Sequence, residues 1–188
     1  MNYQRTSLIP PFKTIDARLE TAIQDFLVKE GKLFKAKAGE RLLTGRLGRY
    51  VEDVFPEWDV DWEYNRFGAR SKRSVIHSRG KSLDKRGHLV TPDIIVHKRL
   101  IPTGRNLLAI EAKHEGKKQG TIADREKLAS YLRPPLSYRY VALVIFSKTQ
   151  HPWCEFELFS RRENPEQPKN SVEIALLDSN AKKSPDSR

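Results

Sequence analysis

Two short runs place carboxylates and an ammonium group where apolar strands should end. Pro92-Asp93 leads into Ile94-Ile95-Val96, and Leu107-Leu108-Ala109-Ile110 runs into Glu111-Ala112-Lys113, with seventeen residues between Asp93 and Glu111. A charge at the end of a buried strand is costly unless a partner or an ion compensates it. Two acids delivered together therefore predict a divalent cation, with Asp93 and Glu111 as its carboxylate ligands. The same letters recur as Pro185-Asp186, Glu30-Gly31-Lys32 and Glu115-Gly116-Lys117. Those copies lie in a polar tail or beside turn glycines. Only Glu111 and Lys113 end a strand whose period of two puts both side chains on one face.

The elements that must position these groups follow from hydrophobic spacing. Thr14 caps an expected helix in which Ile15, Leu19, Ala22, Ile23, Phe26 and Leu27 recur at helical period, with Gly31 as its end. A second helix is expected from about Gly39 to Phe55, with Leu43, Leu47, Tyr50, Val51 and Val54 on one face and Pro56 blocking continuation. Trp58, Val60, Trp62 and Tyr64 alternate with Asp59, Asp61 and Glu63, which predicts a strand with one buried face. Two further strands, Val90 to Lys98 and Asn106 to Lys113, flank the turn residues Pro102-Thr103-Gly104 and are expected to pair as a hairpin. A helix from Thr121 to Leu132 carries Ile122, Leu128 and Tyr131 inward, and Pro134-Pro135 breaks it. Tyr138 to Phe146 is the next strand. Alternation at Glu155-Phe156-Glu157-Leu158 predicts an edge strand, and the polar tail after Arg161 adds at most one strand over Val172 to Leu177. The expectation is an α/β class chain: one domain over 1–160 with a helical N-terminal extension, a mixed, mostly antiparallel sheet of four or more strands flanked by helices, and a tail over 161–188.

A length of 188 residues suits one compact domain. No apolar stretch approaches the ~20 residues of a bilayer span, and no secretory signal follows Met1-Asn2-Tyr3-Gln4-Arg5, so the expected setting is cytoplasmic, without a membrane partner. Cys154, the only cysteine, excludes an internal disulfide and a multi-cysteine zinc cluster, and is expected as a small buried hydrophobe. His77, His88 and His97 match no tight ligand spacing.

The formal net charge of +11 favours a polyanionic partner, nucleic acid above all. Between Arg66 and Arg86 stand eight Lys or Arg against one acid, Asp84, interleaved with Gly68, Gly80 and four serines. With no lasting apolar period, the segment is expected to be a loop that grips phosphates through Arg66, Arg70, Lys72, Arg73, Arg79 and Lys81.

The order helix, three strands, helix, strand (αβββαβ), with Pro92-Asp93 and Glu111-Ala112-Lys113 on the second and third strands, resembles the PD-(D/E)xK nuclease superfamily, whose core is restriction-endonuclease-like. The resemblance covers roughly 39–148, and Glu63-Tyr64-Asn65-Arg66 and Asp93-Ile94-Ile95-Val96-His97 are similar to small bacterial and phage members. It implies a Mg²⁺-dependent endonuclease or related hydrolase of phosphodiester bonds, with DNA the first-choice substrate and Mn²⁺ able to substitute. It further implies that the Ala112 backbone carbonyl is a metal ligand and that Lys113 positions the attacking water and steadies developing charge. Many relatives add a glutamate from the helix before the first strand. Glu40 shares a face with Leu43, Leu47 and Val51 while Glu52 does not, which selects Glu40 as a fourth catalytic residue; Glu63 is the reserve. Lys127 and Tyr131, four apart on the helix after Lys113, face either the core or the substrate. Two alternatives stand beside catalysis: an inactive nuclease-fold binding module, and a subunit of a larger restriction, defence or transposition assembly, as a homodimer or with a partner protein.

Overall fold

The computed structural model describes residues 9–62, 66–67, 70–71, 73–74, 88–89, 92–99, 105–116, 127–134, 136–149, 152–161 and 170–175. The first helix, α1, spans Phe12–Lys35 and buries Ile15, Leu19, Ala22, Ile23, Phe26, Leu27 and Phe34. It runs through Gly31 rather than ending there. A glycine costs a helix about 1 kcal/mol relative to alanine, whereas burying the Phe34 side chain against Phe26 and Phe146 returns roughly 1.5–3 kcal/mol. Burial wins, and the last turn forms. The stop comes at Lys37, whose φ of 53° is left-handed. There Lys37 N–H donates to Phe34 O and Ala38 N–H reaches back to Leu33 O, closing the carbonyls of the final turn.

The second helix, α2, spans Glu40–Val54 with Leu43, Leu47 and Val51 inward, and Gly39 precedes it without a side-chain cap. Then follow β1 (Asp59–Trp62), β2 (Arg66–Phe67), β3 (Arg70–Ser71), β4 (Arg73–Ser74), β5 (His88–Leu89), β6 (Ile94–His97), β7 (Asn106–His114), β8 (Tyr140–Phe146), β9 (Trp153–Ser160) and β10 (Asn170–Ala175). The main sheet is six-stranded and mixed, in the order β1-β6-β7-β8-β9-β10. Only β7 and β8 run parallel; every other neighbouring pair is antiparallel, including the expected β6–β7 pair. The chain between the parallel strands is helical over 127–131.

Both faces of the sheet are covered, so β6 to β8 read as apolar runs rather than alternating ones. Val96, Leu108, Ile110, Ala142 and Val144 pack with α1 and α2. Ile95, Ala109, Val141 and Leu143 face Leu128, Tyr131, Leu136 and Tyr138 on the other side. The first helix is thus part of the main core rather than an appendage to it. Cys154 lies buried there, and burial pushes its thiol up from the ordinary cysteine value.

Two further expectations differ from the structure. The strand containing Phe156 and Leu158 is interior, because β10 pairs with it from Asn170↔Leu158 to Ala175↔Trp153. The alternating charges that suggested an edge include Glu157, which is buried. The basic segment also contains short ladders, Arg66↔Ser71 and Phe67↔Arg70 in one, Arg73↔Leu89 and Ser74↔His88 in the other. Two-residue strands need no apolar period, which is why spacing did not reveal them. Among the described residues no helix is long and apolar enough to cross a membrane.

Candidate functional site

The site is built where β7 outruns its neighbour. The β6–β7 ladder ends at Ile94↔Ile110, with one further bond from Asp93 N–H to Ile110 O at 3.1 Å. The next residue of that neighbour is Pro92, which has no N–H to offer and ends regular pairing. The N–H groups of Ala112 and His114 therefore turn to side chains: Ala112 N–H donates to Asp93 Oδ2 at 2.8 Å and His114 N–H to Glu40 Oε2 at 2.9 Å. Within a strand the N–H and C=O of one residue point the same way, so the Ala112 carbonyl opens between these two carboxylates. Glu40 sits in the first turn of α2, where the helix dipole favours an acid. A cavity of ≈ 310 Å³ lies here, with Glu40, Asp93 and Ala112 in its wall.

Glu111 points to the opposite face of the sheet, the face of residues 127–131. It is 2% exposed. Lys127 Nζ donates to its Oε2 at 2.8 Å and the Tyr131 hydroxyl to its Oε1 at 2.6 Å. Burial still pushes the carboxyl up, and repulsion from Asp93 adds to it; together they outweigh Lys127 and Tyr131 and bring it to about 7. Asp93, at the strand end, is within electrostatic reach of both faces. Burial raises its carboxyl above the ordinary aspartate value and Glu40 adds to the rise, against lowering from the Ala112 N–H, Lys127 and Lys113. Burial and the charge of Glu111 also push the Tyr131 hydroxyl up, so it remains a hydrogen-bond donor. Tyr131→Phe leaves a buried carboxylate oxygen short of a donor and is expected to destabilise the fold by about 1–3 kcal/mol, read by urea denaturation. No loss of stability would show that Glu111 does not need this bond.

The structure thus brings Asp93 beside Glu111 and places Glu40 on the cavity that Asp93 shares, with Lys113 half-buried on the strand between Ala112 and His114. It does not gather the acids into one cluster: among the described residues no three of His, Cys, Asp and Glu are grouped so as to hold an ion. The chemistry of the donors nevertheless fits a hard cation, since they are carboxylate and carbonyl oxygens whose mutual repulsion a positive charge relieves. Glu52 is exposed, and Glu63 lies outside the described residues.

Lys127 and Tyr131 both meet Glu111, so of the two alternatives drawn from sequence the structure shows the inward one. His97 is elsewhere. It is buried four residues along the chain from Asp93, on Asp61 at 2.9 Å, and Arg99 donates to both oxygens of that carboxylate. Burial raises the Asp61 carboxyl, but the bonds from Arg99 and His97 outweigh it and hold it below the ordinary range. His88 lies in β5, and His77 is outside the described residues, as are Lys72, Arg79 and Lys81. Arg66, Arg70 and Arg73 are described by backbone pairing alone.

Arg41, Thr44, Gly45 and Trp62 also line the cavity, and sequence reasoning did not single them out. Helical spacing held the signal for three of them, since Arg41, Thr44 and Gly45 lie one, four and five positions after Glu40. Trp62 belongs to the alternating strand, but nothing in that pattern says that its outer end meets α2. Comparison with protein-family models, with curated proteins and with solved structures returns no match to this chain.

Proposed function

We propose that this chain is a divalent-metal-dependent nuclease of PD-(D/E)xK type, with a restriction-endonuclease-like core, that hydrolyses phosphodiester bonds of DNA. The observation that carries the proposal is the open strand edge at Ala112, where Asp93 and Glu40 accept the free N–H groups of β7 and line one cavity, with the buried Glu111 as the preceding strand residue. Asp93, Glu111 and the Ala112 carbonyl are the groups that would hold Mg²⁺ or Mn²⁺. The ion would supply Lewis-acid stabilisation of the phosphate oxygens and a more acidic water.

The chain's own contribution is positioning. Lys127 and Tyr131 fix the Glu111 carboxylate through both oxygens. The Ala112 N–H orients Asp93, and the His114 N–H orients Glu40. Lys113 follows Ala112 and brings an ammonium group toward the charge that develops on the phosphate. The excess of Lys and Arg draws a polyanion to the molecule from a distance.

A second reading has its own support. Both Glu111 oxygens are already engaged, one by an ion pair, and no three-acid group exists among the described residues. That arrangement suits a module that keeps the fold and binds nucleic acid without cutting it, alone or within a larger assembly. Incubation with supercoiled plasmid, linear duplex, single-stranded DNA and RNA in Mg²⁺, Mn²⁺ or EDTA separates the two. Cleavage that requires metal and Asp93 is the expected result; binding with no cleavage of any substrate establishes the module instead.

A further inference from the structure

Trp62 is out of keeping with the rest of the core. The two other tryptophans are buried or half-buried, whereas Trp62 is 50% exposed at the last position of β1. Its Cα partner across the ladder is Ile94, the residue after Asp93. The indole lies close against α2 where position 48 is glycine: a Cβ there would stand 3.3 Å from the Trp62 Cε3 atom. Trp62 lines the same ≈ 310 Å³ cavity as Glu40, Asp93, Arg41 and Gly45. At Gly45 an added Cβ would meet nothing within 4 Å, so the cavity is left open there by the absence of a side chain.

A half-exposed indole, a guanidinium and two carboxylates select among the parts of a nucleic acid. A phosphate is repelled from the carboxylate wall and drawn to Arg41, which is exposed at the rim. A neutral nucleobase is not repelled, and its π-face matches the indole. The volume stands at the lower end of ligand cavities, which run from about 300 to 1,000 Å³, so it takes one nucleoside and not a base pair with both its strands. A duplex would first have to unstack and turn out a base.

We infer that the cavity binds one unpaired nucleoside of the substrate strand, with its base stacked on Trp62 and its phosphate on Arg41, so that the preferred substrate is single-stranded or locally unpaired DNA. The assignment of that nucleoside to the bond being cut rests on the nuclease reading; the stacking site does not.

The test is binding in EDTA, where no cleavage is needed. Fluorescence anisotropy of labelled oligothymidylate and of a duplex of equal length, at one fixed salt concentration, should show the single strand bound more tightly by the unaltered protein. Trp62→Ala is expected to weaken single-strand binding about tenfold, with Trp62→Phe recovering part of the loss. Gly45→Leu, which fills the cavity from a position with free space, should give a similar loss without lowering the thermal midpoint, since leucine is the better helix former. Unchanged single-strand affinity in both Trp62→Ala and Gly45→Leu, tighter duplex binding by the unaltered protein, or no oligonucleotide binding at all would each overturn the inference. Failure of the nuclease reading looks different: single-strand preference and its loss in Trp62→Ala persist, while no metal supports cleavage.

Discussion

Asp93→Asn and Lys113→Met are each expected to lower metal-dependent cleavage by about 10³-fold, because several kcal/mol of charge stabilisation are lost and each tenfold is about 1.4 kcal/mol. The choice of asparagine matters. Asp93 Oδ2 accepts from the Ala112 N–H, and an asparagine carbonyl accepts the same bond, so the strand edge is kept while the charge is removed. Lys113→Met keeps the length of the side chain and deletes only the ammonium. Glu40→Gln should cost far less, about tenfold, since its oxygen serves the His114 N–H from the other face. Initial rates on plasmid at saturating Mg²⁺, with circular dichroism to establish folding, provide the measurement. Wild-type rates in both Asp93→Asn and Lys113→Met would remove these residues from catalysis, and with them the proposed activity.

The second large effect is on stability. The Glu111 carboxyl stands at about 7 in the fold against an ordinary value of 4.5, so the native chain holds this proton more tightly than the unfolded chain does. Stability is then fully present below about pH 4.5 and is lost as pH rises through 7, by about 3 kcal/mol for a shift of this size. Asp93 is raised as well and adds in the same direction. Urea denaturation in EDTA between pH 5 and pH 8 should show the decline. Glu111→Gln, which has no charge to strain, should reduce it and leave only the part that Asp93 adds. Mg²⁺ at 100 times its dissociation constant should return about 2.7 kcal/mol at pH 8. A slope undiminished in Glu111→Gln would assign the pH dependence to other groups.

Much of the arrangement was legible because it follows from period. Helical spacing located α1 and α2 within a few residues, and selected Glu40 over Glu52, which the structure leaves exposed. Continuous apolar runs identified β6, β7 and β8, and the turn residues at 102–104 foretold the antiparallel partnership of β6 with β7. Gly31 misled because its local cost is smaller than the burial of Phe34, a term that exists only when Phe146 is brought alongside. The position of β9 misled for a similar reason: charge alternation reports exposure to neighbours along one strand, and the ladder supplied by β10 is a contact with residues 12 or more positions away.

What the sequence determined by itself is which residues carry charge at the ends of buried strands, since period-2 and period-3.6 spacing are properties of the chain alone. It therefore named Asp93, Glu111 and Lys113, while helical phase only chose Glu40 over Glu52 for the further glutamate that the nuclease resemblance implies. Only the tertiary structure decided how those charges are compensated. Pro92 ends the β6 ladder one residue short of Ala112, Asp93 and Glu40 take the open N–H groups of β7, and Lys127 and Tyr131 close on Glu111 from across the sheet. Trp62 joins the same cavity only because Gly48 lets β1 lie close against α2. Each of these is a meeting of distant segments, and the distances between segments are set by packing density and hydrogen-bond geometry rather than by local spacing.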